Sequence, residues 1–163
     1  MSRAKLIEMA RRNLVHVKAG TVDQAPDVGR VPVTNYYDPD RWRLEVDRIF
    51  KRLPLMLGFS AEIPKPGDYR ALHVIDVPVL LTRVKDGSVR AFLNVCSHRS
   101  AVIVPDGSGN ARRFICPYHA WTFEADGRLS GVPMKADYPA LKLEANGLVP
   151  VGLELWHGFV FVR

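Results

Sequence analysis

The 163-residue chain sets Cys96 and His98 one residue apart, and Cys116 and His119 two residues apart. Seventeen residues, 99–115, separate the two pairs, and no other cysteine occurs. Each pair directly follows a short apolar run, "VRAFLNV" before the first and "RRFI" before the second. Residues i and i+2 of an extended segment point to the same side, so Cys96 and His98 can face one place together. Pro117 stiffens the second turn and helps aim Cys116 and His119 at that place. Two loops at one end of a sheet would then each offer one sulfur and one nitrogen.

The rest of the chain reads as two helices followed by strands. From Ser2 to about His16, Leu6, Ala10, Leu14 and Val17 recur at helical spacing, with Ile7 beside them, and the helix ends before Gly20. Residues 20–34, rich in Gly, Pro and Asp, read as an extended connection. Asp38 and Pro39 suit the start of a second helix, whose apolar stripe is Trp42, Val46, Ile49, Phe50 and Leu53, and Pro54 stops it. From Pro64 onward the runs are short and rich in Val, Leu and Ile, with Asp86-Gly87 and Asp126-Gly127 as hairpin turns. The expected fold is mainly β: an antiparallel sandwich or barrel over 64–163, preceded by a helical arm over 1–63.

Charge and composition exclude some classes. Lys and Arg exceed Asp and Glu to give a net charge of +6, but the basic residues are scattered and form no helix-turn-helix or RNA-binding signature. No nucleic-acid partner is expected. No apolar run approaches the roughly 20 residues that span a bilayer, and the N-terminus lacks the apolar segment of a signal peptide. The expectation is a cytoplasmic protein with no membrane partner. A Cys96–Cys116 disulfide is disfavoured in that reducing compartment.

Two thiolates and two imidazoles suit either a structural zinc ion or a [2Fe–2S] cluster. Zinc sites usually group like ligands, whereas each pair here mixes sulfur with nitrogen. That mixture favours a cluster with two cysteines on one iron and two histidines on the other. His16, His73 and His157 have no partner at ligand spacing and read as packing or surface residues, with His157 inside a strand-like run.

At these residues the sequence resembles a known family. "FLNVCSHRS" and "GNARRFICPYHAWTFEADGRL" are similar to the Rieske [2Fe–2S] domain of the alpha (large) subunit of aromatic-ring-hydroxylating oxygenases, and the likeness extends to "YYDPDRWRLEVDRIFKRLPLMLGFSAEIPKPGDY" and "VPVGLELWHGFVFVR". The resemblance implies that Cys96, His98, Cys116 and His119 hold the cluster and that this chain carries no catalytic residue of its own. It departs from the family at Ser100 and Ala120, which stand where glycine is usual. Tyr118 and Trp121 read as a packed wall around the cluster, and Arg99 receives no role. Trp121 also stands where the high-potential respiratory proteins have a serine, so a potential toward the low end of the Rieske range is expected.

The resemblance further implies a reductase or ferredoxin as electron donor and a mononuclear Fe(II) as acceptor, in the catalytic domain of the same or a neighbouring subunit of a trimer. That iron needs two histidines and a carboxylate, and only His157 follows His119. The expectation is therefore the N-terminal, electron-transferring part of an oxygenase whose catalytic domain is absent. The alternatives are a stand-alone Rieske ferredoxin and, from a different class, a zinc-stabilised binding module.

Overall fold

The computed structural model describes residues 2–163, in two compact units divided between Pro39 and Asp40. In the first unit, helix α1 runs over Arg3–Ala19. The Ser2 side chain caps it by accepting from the Lys5 N–H at 3.4 Å. Gly20 ends it in the left-handed region at φ 63°, with Gly20 and Thr21 N–H donating to the Val17 and His16 carbonyls. The glycine, rather than the fading apolar pattern at His16, sets the end. The connection that follows carries a 3₁₀ turn at Val33–Tyr36.

Helix α2, Pro39–Glu45, starts at the boundary residue and loosens into a π turn over Val46–Phe50. Helical structure thus ends before Pro54. Ten strands follow: β1 Leu55–Phe59, β2 Asp68–Val74, β3 Val77–Arg83, β4 Val89–Leu93, β5 Gly107–Asn110, β6 Arg113–Ile115, β7 Thr122–Glu124, β8 Leu129–Gly131, β9 Leu153–Trp156 and β10 Phe159–Val162. They form three antiparallel sheets, ordered β1-β10-β9, β4-β3-β2-β5 and β6-β7-β8. Both expected Asp-Gly turns are present, with Gly87 and Gly127 at φ 85°. Among the described residues no helix is long and apolar enough to cross a membrane.

The four-stranded sheet is the middle layer, as the alternation along β3 shows. Val79 and Leu81 face a core shared with Val160 and Val162 of β10, while Leu80 faces a second core with Phe114, Phe123 and Leu129. A strand buried on both faces must be apolar throughout, which is why "VLL" stands unbroken here. β1 lies ahead of Pro64, where the sequence turns strand-like. Its run "LMLGF" does not alternate, and its strand character comes from pairing with β10.

Among the described residues two polar side chains sit fully inside, Thr82 and Asn94. Asn94, 0% exposed, follows β4, donates from Nδ2 to the Val104 carbonyl at 2.6 Å and accepts the Val104 N–H on Oδ1 at 3.2 Å. This brace joins the two limbs of the chain around residues 96–101. Asn94→Ala leaves both Val104 groups unpaired in the interior, so unfolding free energy should fall by about 2–4 kcal/mol. Urea denaturation measures this, and a loss under about 1 kcal/mol would contradict the brace.

Candidate metal centre

The two ligand-bearing loops are built alike. The first is flanked by a β-bridge between Val95 and Val102, the second by the Ile115–Thr122 pair of β6 and β7. In each, the cysteine carbonyl accepts the N–H four residues on, from Ser100 at 2.8 Å and from Ala120 at 3.0 Å. The cysteine N–H in turn donates to the carbonyl five residues on, of Ala101 and of Trp121, at 2.8 Å in both. This closure puts the fourth residue after each cysteine in the left-handed region, and Ser100 and Ala120 both stand at φ 53°. A non-glycine residue in that region carries strain of about 1–2 kcal/mol at each position.

The donors separate by depth. Cys96 and Cys116 are free and buried, 2% and 3% exposed. His98 is half-buried and His119 exposed, with ring centroids 4.8 Å apart. Burial pushes the Cys96 thiol pKa up and the Cys116 neighbour adds to this, while backbone N–H groups of His98 and Arg99 favour the thiolate. His98 is shifted down by loss of hydration, then by the positive charges of His119 and Arg99.

Sulfur inside and nitrogen outside is the arrangement a two-iron unit with distinct ends requires. By donor chemistry and depth, a buried sulfur pair and an outer imidazole pair fit the two-cysteine, two-histidine donor set of a [2Fe–2S] unit.

Of the sequence's four candidate ligands, His98 and His119 lie with ring centroids 4.8 Å apart at the ends of the two loops, and the other histidines are engaged elsewhere. His16 Nε2 pairs with Asp23 at 2.8 Å in the first unit, and His73 Nδ1 pairs with Asp106 at 2.9 Å. His157, expected within a strand, instead forms with Gly158 the turn between β9 and β10, at φ 49° and 87°. A tie that sequence reasoning missed is Ser97 Oγ donating to the Asn146 carbonyl at 2.7 Å. It fastens the first loop to the segment around Leu143 and Leu148, which pack on the same core as Cys96. A hydroxyl beside a ligand is the only signal for it, and its partner lies 49 residues away.

Glycine relieves the left-handed strain in these loops. Ser100→Gly and Ala120→Gly should each raise the unfolding free energy of the metal-free protein by about 0.5–1 kcal/mol, net of glycine's chain entropy. Thermal and urea unfolding of the two variants measure this, and destabilisation by both would contradict the strain.

Comparison with known proteins agrees with this geometry. The chain is 37% identical over 136 residues to the chlorobenzene dioxygenase subunit alpha of Cupriavidus sp. strain PS12, covering 83% of this chain and 30% of that protein. It is 38% identical over 134 residues to the glycine betaine monooxygenase oxygenase subunit of Chromohalobacter salexigens, covering 81% and 29%. A solved naphthalene 1,2-dioxygenase with indole bound is 40% identical with a TM-score of 0.70, over 74% of this chain and 28% of that one. The chain thus spans about 30% of the length of the curated relatives it matches. The profile of the Rieske [2Fe-2S] domain matches residues 54–144, and the chain belongs to that family.

Proposed function

We propose that this domain stores and passes single electrons for a Rieske oxygenase of the alpha-subunit type, with Cys96 and Cys116 on one iron and His98 and His119 on the other. The observation that carries it is the segregation of buried thiols from outward imidazoles at the meeting of two matched loops. The bound cluster supplies a one-electron couple, raised relative to four-cysteine clusters by its neutral imidazole ligands. The relatives are named for arene oxidation and for glycine betaine oxidation, so the step common to them is the one assigned here.

The chain's own groups do the rest. The matched backbone closures hold both cysteine sulfurs inside, away from water. The imidazoles lie toward the surface, where a ligand histidine's second ring nitrogen can donate a hydrogen bond to a partner. Arg99 and Tyr118 are exposed beside them. A carboxylate on the electron acceptor or donor matches that N–H and the nearby guanidinium. The donor is a reductase or ferredoxin. The acceptor is a mononuclear Fe(II) held by the part of the oxygenase that this chain does not span, in the same or a neighbouring subunit of a trimer. The stand-alone carrier reading is weaker, because the matched region covers 83% of this chain within an oxygenase subunit.

Purified protein should contain equal iron and acid-labile sulfide, and its reduced form should give an EPR signal of mixed nitrogen and sulfur ligation. Cys96→Ser should abolish both, and a colourless zinc-containing protein would end the proposal. Redox titration should place the midpoint below zero. Replacing both His98 and His119 by cysteine should lower it by roughly 200 mV or more, toward four-cysteine values.

A further inference from the structure

The two loops share a backbone but not their surroundings. Five residues after its cysteine the first loop has Ala101, and the second has Trp121. The Trp121 indole reaches across to the other loop's ligand and stacks on His98, with ring centroids 4.8 Å apart and planes within 6° of parallel. Trp121 is itself 5% exposed and held in the core with Phe114 and Phe123, and its carbonyl takes the Cys116 N–H. The stack is therefore a fixed wall. His98 has Trp121 on one side and His119 on another, tilted by 59°. Among the described residues the rings against exposed His119 are those of His98 and of Tyr118, whose centroid is 3.8 Å away and which is itself 58% exposed.

We propose that Trp121 is a positioning residue for His98: supplied by the second loop, its buried indole face sets the plane of the first loop's imidazole and leaves His119 as the orientationally free ligand. The inference rests on the ligand assignment proposed above and adds an asymmetry to it. Parallel offset stacking is a favoured aromatic geometry, and a side chain locked by core packing imposes its orientation on the ring that lies against it. The ligand histidine that sits against a rigid wall keeps one orientation through an electron-transfer cycle. The exposed one turns with its partner surface.

The test uses the cluster-loaded protein and three variants. Trp121→Phe keeps a flat ring, Trp121→Met keeps apolar bulk without one, and Phe123→Leu thins the same core. Among the described residues no ring pair joins Phe123 to either histidine. Trp121→Met should broaden the EPR line of the reduced protein and speed iron loss to a chelator about tenfold, as losses of ligand support do. Trp121→Phe should retain the wild-type line. Phe123→Leu should lower stability and leave the line unchanged. Pulsed EPR of the unmutated, 15N-histidine-labelled protein should resolve one sharply oriented nitrogen coupling and one distributed coupling. The proposal is overturned if Trp121→Met and Phe123→Leu behave alike in EPR and chelator assays, or if both nitrogen couplings are equally broad. Wild-type protein without equal iron and sulfide would overturn the ligand assignment instead.

Discussion

Everything at this centre depends on a pair of backbone closures. In each loop a cysteine spends its own carbonyl and its own N–H on residues four and five further along. The peptide groups that would otherwise need water are satisfied inside the turn, so the sulfur beside them can be buried. Burial of both sulfurs and the left-handed residue in each loop follow from that one choice of hydrogen bonds. The strain at Ser100 and Ala120 persists because flanking strand pairs hold each loop from outside, with the Asn94 brace added at the first.

The layers behind the loops explain why a chain of this size holds such a shape. The middle sheet has a core on each face, so β3 ties them together through Leu80 on one side and Val79 and Leu81 on the other. Thr82, also buried, donates from Oγ1 to the Ala125 carbonyl at 2.7 Å and joins β3 to the hairpin that follows the second loop.

The features legible in the sequence were those written locally. Four donors at short spacing after apolar runs, and two Asp-Gly turns between strands, need no distant partner to be recognised. The rest depends on partners far along the chain. β1 is a strand because β10 pairs with it, and nothing in "LMLGF" announces that. The Ser97–Asn146 tie and the Asn94 brace are equally silent, since a serine or asparagine reads as polar until its acceptor is known. The His157-Gly158 turn was hidden inside an apolar run, where a short two-residue reversal interrupts the pattern without changing its composition. The stacking of Trp121 on His98 was visible only as a tryptophan near a ligand. Which loop it served required the fold.

The two cysteine loops hang from different sheets. The first continues from β4 of the four-stranded sheet and the second joins β6 to β7 of a three-stranded one. A group held jointly by both loops would act as a rivet through two plates. Corrosion of that rivet by oxidation would be felt along the whole seam as slackening, and would turn a chemical injury at four side chains into a mechanical one.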